Sequence, residues 1–152
     1  EPHIADTISQ ILKETGLEPC YLELEITENS IMQNTRRTMN IVKMLKAEGI
    51  KISIDDFGTG FSSMAYLRHF NVDRIKIDKM FIDEVNKGDG NSAIISAIIN
   101  MSHSLSLKVT AEGVETEEQL AILRAYNCDE IQGFYFSKPL TPEKFSNYLQ
   151  SR

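Results

Sequence analysis

The chain has 152 residues and an apolar fraction of 41%, which suits one globular domain with a hydrophobic core. Its net charge of −6 argues against binding a nucleic-acid polymer through a basic surface. The sequence contains neither a signal-peptide pattern nor an apolar run of the roughly 18 residues that a membrane span requires. The two cysteines, Cys20 and Cys128, fit no metal-ligand spacing, so we expect reduced thiols and a cytoplasmic protein.

Helical and strand patterns alternate along the chain. Apolar residues with a helical period predict helices at residues 4–15, 31–48, 92–105, 117–126 and 142–150. Alternating apolar and polar residues predict strands at 21–27, 51–55, 74–77, 108–111 and 130–132. A short helix after Ser62 or Ser63 and a turn at 87–90 are predicted between these elements.

The polar positions of the predicted strands carry most of the chemistry. Successive side chains of a strand point to opposite faces, so one face is apolar and the other is polar. The predicted polar face carries Glu25, Asp55, Lys76, Glu112 and Gln132. Acidic groups and one cation would thus meet in a single cavity, as they do in a metal-dependent active site.

Repeated strand–helix units predict an α/β fold with parallel strands. A doubly wound sheet buries both faces and would need continuously apolar strands, whereas these strands alternate. A TIM-like barrel fits better, because its helices cover the outer face and its active residues lie at the carboxyl ends of the strands. A full barrel needs eight strands, and five are predicted, so we expect residues 1–152 to be the C-terminal part of one barrel domain.

Asp55 and Asp56 end a strand and enter the glycine-rich segment 57–61. Adjacent carboxylates repel each other, and a cation between them relieves that repulsion. The candidate ligands are oxygens without a histidine or cysteine cluster, which favours Mg²⁺ or Mn²⁺ over zinc. The alternative is a turn with a solvated helix cap. Lys76 could pair with these carboxylates, contact a substrate phosphate, orient a water molecule, or form a purely structural salt bridge.

Five motifs in this order resemble the EAL-domain cyclic di-GMP phosphodiesterases. They are Glu25-Ile-Thr-Glu28, Asp55-Asp-Phe-Gly-Thr-Gly-Phe-Ser-Ser63, Lys76-Ile-Asp78, Ala111-Glu-Gly-Val-Glu-Thr116 and Gln132-Gly-Phe-Tyr-Phe-Ser-Lys-Pro-Leu140. The resemblance covers essentially the whole chain. It implies a TIM-like barrel that hydrolyses cyclic di-GMP to linear pGpG with two Mg²⁺ or Mn²⁺ ions.

The resemblance also implies roles for the metal-binding residues. Glu25 would bind the first metal, Asp55 would bridge both metals, and Asp56 would bind the second. Glu112 would be either a ligand of the second metal or the general base. Lys76 would contact the nucleophilic water or hold the geometry of the metal cluster.

Further implied roles concern the rim of the site. Gln132 would stabilise the second metal's shell or the water. Phe57, Gly58, Thr59 and Gly60 would form a substrate loop, which Glu28 would anchor so that dimerisation is coupled to catalysis.

Two first-metal ligands of the family, the Glu of the Glu-Ala-Leu motif and an Asn, would precede residue 1. We therefore expect little or no activity from this chain alone and hydrolase activity from its parent protein. Five strands would also leave exposed edges, from which we expect a homodimer. The alternatives are a sensor that binds cyclic di-GMP without cleaving it and an interaction scaffold with no nucleotide role.

Overall fold

The computed structural model describes residues 4–33, 35–59, 67, 69–85 and 91–151. Gly60 and Phe61 of the predicted loop, the predicted helix near Ser62 and Ser63, and the predicted turn at 87–90 lie outside these ranges. Among the described residues, we find no helix with the length and apolar character that crossing a membrane demands.

Five strands form one parallel sheet in the order β1-β2-β3-β4-β5. Their bounds are β1 Glu23–Thr27, β2 Lys51–Phe57, β3 Arg74–Ile77, β4 Lys108–Ala111 and β5 Glu130–Ile131. Sequential order with parallel pairing requires a crossover after every strand, which is the connectivity of a barrel wall. The predicted α/β fold with parallel strands of a partial TIM-like barrel is confirmed.

Seven helices lie within the described ranges. They are α1 Ile4–Thr15, α2 Glu28–Gln33, α3 Thr35–Ala47, α4 Lys79–Asp83, α5 Asn91–Ser104, α6 Glu117–Ala125 and α7 Pro142–Gln150, with a 3₁₀ turn at Pro19–Tyr21. The predicted helix at 31–48 is two helices, α2 and α3, and α2 begins directly at the end of β1. Thr116 and Gln119 form the reciprocal hydrogen bonds of a capping box at the start of α6, which fixes where that helix begins.

The apolar face of the sheet packs against helices and forms the core. Ile52, Ile54, Ile75, Ile77 and Val109 are almost completely buried and cluster with Ile95 and Ile99 of α5. Each buried aliphatic side chain of this size stabilises the fold by about 1.5–3 kcal/mol. The strands therefore have their apolar parity fixed by the core, which leaves the opposite parity for polar side chains.

Candidate active site

Lys76 of β3 lies at the centre of three carboxylates, which come from β1, β2 and the end of β4. Its ammonium Nζ is 2.5 Å from Glu25 Oε1, 2.7 Å from Glu112 Oε1 and 3.5 Å from Asp55 Oδ1. The side chains are 8% exposed for Lys76 and 21% exposed for Asp55 and Glu112, so water screens these two ion pairs poorly, whereas Glu25 is half-exposed. We call Glu25, Asp55, Lys76 and Glu112 the carboxylate cluster. The structure thus brings together four of the residues that strand parity predicted to share one face.

A β-bulge shapes the end of β2, where the two adjacent aspartates lie. Ile54 pairs with Ile75, but Phe57 pairs with Ile77, so β2 has one extra residue over this interval. Asp56 takes up that irregularity with a left-handed backbone angle φ of 55°. A bulge next to a site can re-aim a side chain, and here it breaks the strict alternation that would send Asp55 and Asp56 to opposite faces.

The pKa values of the cation and of one acid in the carboxylate cluster are shifted for different reasons. Burial lowers the pKa of Lys76, but its hydrogen bonds with Glu112 and Glu25 outweigh that effect and raise it above its usual value. The pKa of Glu112 is also raised, because burial and the charges of Asp55 and Glu25 outweigh the attraction of Lys76. Lys76 therefore remains a protonated donor at neutral pH, whereas the cluster has more negative charge than one lysine can offset.

Asp56 is close to a second acid that the sequence interpretation did not assign a role. Burial, the charge of Asp55 and a hydrogen bond with Asp78 raise the pKa of Asp56. Asp78 also accepts a hydrogen bond of 2.7 Å from Met80 N and so caps α4. The sequence could have indicated a role for Asp78, because it lies two residues after Lys76 at a strand end and both side chains are therefore on the same face.

The glycine-rich segment is held by a buried acid. Glu28 is 1% exposed, and its Oε2 accepts a hydrogen bond of 2.8 Å from Gly58 N. Gly58 has a φ of 98°, and a Cβ there would lie 2.7 Å from the ring of Phe81. The close approach and the backbone angle both require glycine at this position. The contact that the resemblance implied for Glu28 is present for the part of the loop that is described, while its coupling to dimerisation stays a prediction.

Gln132 lies at the rim, outside the carboxylate cluster. It lines a cavity of about 280 Å³ together with Glu112, Lys79, Glu115 and Phe134. Lys79 forms an ion pair with Glu115 at this cavity, a contact that strand patterns do not reveal because both residues follow the strands. Gln132 N donates to Ala111 O at 2.9 Å, which fixes the backbone of Gln132 beside the end of β4.

The candidate ligands are carboxylate oxygens, which suit a hard divalent cation, but they are too few to complete a metal site. Asp55 Oδ1 is buried and accepts no hydrogen bond, although it lies 3.5 Å from Lys76 Nζ as one half of an ion pair. Carboxylate oxygens are the ligands that Mg²⁺ and Mn²⁺ prefer. Within the described ranges, no three acidic, histidine or cysteine side chains form a metal-binding group by themselves. Of the predicted metal ligands, Glu25, Asp55 and Glu112 surround the ammonium of Lys76.

Comparisons with known proteins agree on one family. The EAL domain matches residues 1–139. The cyclic di-GMP phosphodiesterase NbdA of Pseudomonas aeruginosa is 43% identical over 148 residues, which are 97% of this chain and 19% of NbdA. The chain therefore spans about a fifth of that relative.

Two solved structures show the same architecture. The PaMucR phosphodiesterase in complex with cyclic di-GMP superposes with a TM-score of 0.91 at 40% identity, over 94% of this chain and 58% of that chain. BlrP1 of Klebsiella pneumoniae, in its manganese and cyclic di-GMP complex at pH 6, gives a TM-score of 0.85 at 31% identity, over 91% of this chain and 35% of that chain. This chain belongs to the EAL domain family.

Proposed function

We propose that residues 1–152 are the C-terminal portion of one EAL barrel that hydrolyses cyclic di-GMP to linear pGpG. The observation that carries the proposal is the convergence of Glu25, Asp55 and Glu112 on Lys76. A named phosphodiesterase relative and a solved complex with cyclic di-GMP support the choice of substrate.

The carboxylates of this site suit two divalent cations, Mg²⁺ or Mn²⁺. When bound, such a pair activates a water molecule and neutralises charge on the transferring phosphate. Glu25 would hold the first cation and Asp56 the second, with Asp55 shared between them. The manganese complex of BlrP1 supports a divalent cation in a structure of this family. Asp55 Oδ1, which accepts no hydrogen bond, supports a shared position for that residue.

The remaining residues have roles that follow from their protonation and position. Lys76 stays protonated, so it orients the water molecule or the phosphate as a hydrogen-bond donor and does not remove a proton. Glu112 would either complete the second cation's ligands or accept the proton of the attacking water, and a pKa above the usual glutamate value makes it a stronger base than an exposed glutamate. Gln132, whose side chain is exposed at the rim, would hydrogen-bond that water or the second cation's shell.

Phe57, the buried last residue of β2, would lead into the substrate loop of Gly58, Thr59 and Gly60, and Glu28 would be the anchor of that loop. The hydrogen bond from Gly58 N to Glu28 supports this role, because it ties the loop to the start of α2, next to β1. We further propose that the protein is a homodimer and that dimerisation reaches the site through this anchor.

The test is a hydrolysis assay with Mn²⁺ and cyclic di-GMP, in which pGpG is measured by chromatography. It compares the parent protein with its Asp55→Asn variant, and the 152-residue chain is assayed alongside. We expect pGpG from the parent, almost none from the variant, and little or none from the isolated chain.

Each other outcome has a defined meaning. Binding of cyclic di-GMP by the parent without turnover would favour the sensor. Neither binding nor turnover would favour the scaffold. Turnover by the isolated chain at the parental rate would show that residues 1–152 contain a complete site. That result would contradict the proposal that they are only the C-terminal portion of the barrel.

A further inference from the structure

A second ionic layer lies beneath the carboxylate cluster, towards the amino ends of the strands. Arg74 of β3 forms ion pairs with Glu23 of β1, at 2.9 Å from Nε to Oε1, and with Glu130 of β5 through Nη1. The contact with Glu23 is an ion pair without hydrogen-bond geometry, because Nε has no hydrogen-bond partner. The same Nη1 donates a hydrogen bond of 2.7 Å to Thr110 Oγ1 of β4. We call Glu23, Arg74, Thr110 and Glu130 the basal layer. One guanidinium therefore joins four strands across the concave face.

Each member of the basal layer precedes a candidate site residue by two positions. The pairs are Glu23 and Glu25, Arg74 and Lys76, Thr110 and Glu112, and Glu130 and Gln132. Residues two apart on a strand point to the same face and are separated by about 6.6 Å along it. A change in strand spacing at the basal layer must therefore shift the site residues directly above it.

The contacts of Arg74 depend on the shape of its guanidinium. The Arg74 side chain is 13% exposed and that of Glu23 is 28% exposed, whereas Glu130 is half-exposed and its ion pair is partly screened by water. The hydrogen bond with Glu130 raises the pKa of Arg74 and lowers that of Glu130. A planar fork can reach several acceptors in different directions, whereas a lysine ammonium acts as a point charge on a flexible stem. Substitution of Arg74 by lysine would keep the positive charge but could not maintain the contacts with Glu23, Thr110 and Glu130 at the same time.

We propose that Arg74 is a positioning residue: it fixes the spacing of β1, β4 and β5 around β3 and thereby holds Glu25 and Glu112 against Lys76. Its catalytic consequence rests on the proposed phosphodiesterase function, but its geometric consequence does not. Ser53 shows why this tie is needed, because it lies on the same face of β2, is fully buried, and its hydroxyl has no hydrogen-bond partner. Its side chain adds no polar tie across this layer.

The first experiment measures the environment of Lys76 without substrate or metal. Arg74→Met and Arg74→Lys variants of the chain are treated with a small amine-acylating reagent, and modification of Lys76 is quantified by peptide mass spectrometry. Exposed Lys43 is the internal reference. We expect severalfold faster acylation of Lys76 in both variants, because looser ion pairs expose its amine.

Lys46→Met is the matched control. It removes a similarly shielded ion pair, in which Lys46 is 19% exposed and lies 2.6 Å from Asp73. Asp73 Oδ2 keeps the hydrogen bond from Ile52 N, so the control loses an ion pair without touching the basal layer. Equal acylation rates of Lys76 in Arg74→Met and Lys46→Met would overturn the proposal. If Arg74→Met does not fold, Thr110→Val removes one tie at small cost, and an unchanged rate in that variant would also count against it.

The second experiment measures hydrolysis of cyclic di-GMP in the parent protein. Residues that orient metal ligands typically contribute about 10- to 100-fold to activity. We expect Arg74→Lys to lower kcat by that amount with little change in KM, and Lys46→Met to leave both unchanged. The two experiments can also disagree. If acylation of Lys76 is faster in the Arg74 variants but the wild-type parent protein does not hydrolyse cyclic di-GMP, the positioning role stands and the proposed function is refuted. Normal kcat in Arg74→Lys would refute the positioning role.

Discussion

The carboxylate cluster and the basal layer lie on one face of the same strands, two residues apart, yet the pKa values of Glu112 in the first and Glu130 in the second are shifted in opposite directions. In the basal layer, the hydrogen bond from Arg74 lowers the pKa of Glu130. In the carboxylate cluster, burial and neighbouring acids raise the pKa of Glu112 despite its contact with Lys76. Each layer has a single cation from β3, so the difference comes from the number and burial of the acids around it.

This difference separates a structural ionic layer from the layer that we propose to be functional. Charges that are paired and hydrogen-bonded stabilise a fold, whereas a surplus of buried like charges destabilises it. The sheet therefore keeps its surplus negative charge at the carboxyl ends of the strands, which is where barrel enzymes bind their ligands. The basal layer provides the fixed spacing that such a strained arrangement needs.

The largest expected effect comes from removing one charge of the carboxylate cluster. Asp55→Asn takes away the proposed shared cation ligand while keeping the side-chain shape. A cation pair supplies several kcal/mol of transition-state stabilisation, so we expect about a 1000-fold loss of cyclic di-GMP hydrolysis in the parent protein. Steady-state kinetics with Mn²⁺ would measure it, and a loss of less than about tenfold would show that Asp55 is not a ligand.

A smaller effect is expected from the loop above the cluster. Glu28→Gln keeps the size of the anchor but weakens its acceptance of the hydrogen bond from Gly58 N. We expect about a 10- to 100-fold lower kcat, as for other groups that orient a site from outside it. Glu48→Gln is a surface control, since Glu48 pairs with Ser9 away from the cluster. Equal kcat values for the two variants would remove Glu28 from the mechanism.

Much of this comparison could be predicted from the sequence, because strand parity is a local property. Alternation placed Glu25, Asp55, Lys76 and Glu112 on one face, and the structure brings them together. The same parity places Arg74 on the face that carries Lys76. The sequence therefore predicts the face of Arg74 but not the residues that pair with it. Which acids meet Arg74 depends on strand curvature and side-chain length, which one sequence does not specify.

Other features depend on contacts between distant residues. The bulge at Asp56 arises from the pairing of β2 with β3, and nothing in the local pattern marks the extra residue. The contact between Asp56 and Asp78 follows from that bulge. The break between α2 and α3 also escaped the periodic pattern, because apolar spacing across residues 31–48 is compatible with one continuous helix.

Asp56→Asn should stabilise the metal-free chain at neutral pH. The pKa of Asp56 is raised in the folded chain, so the folded state holds its proton more tightly than the unfolded state does. That contribution to stability is complete below the ordinary pKa of 3.8 and is lost as pH rises through the folded value. Asparagine never ionises, so we expect a gain at pH 7 that disappears in acid, and solvent screening limits that gain to less than about 1 kcal/mol.

Urea unfolding of the chain at several pH values, with a chelator present, would measure the gain. Mn²⁺ should reverse the order of stability in the parent protein, because the wild-type aspartate would then have a cation partner. A variant less stable than wild type at pH 7 without metal would show that Asp56 is not under electrostatic strain.

Glu130→Gln gives the smallest effect, and its sign should be opposite. Arg74 lowers the pKa of Glu130, so this contribution to stability is present above the ordinary value of 4.5 and is lost as pH falls through the folded value. The Glu130 side chain is 48% exposed, and solvent screening limits the expected cost to about 0.5 kcal/mol at pH 7. The same urea series should show this cost vanishing in acid, just where the Asp56→Asn gain also vanishes. If both variants shifted stability in the same direction, the two layers would not differ electrostatically, and the surplus charge that marks the carboxylate cluster as the functional one would have no support.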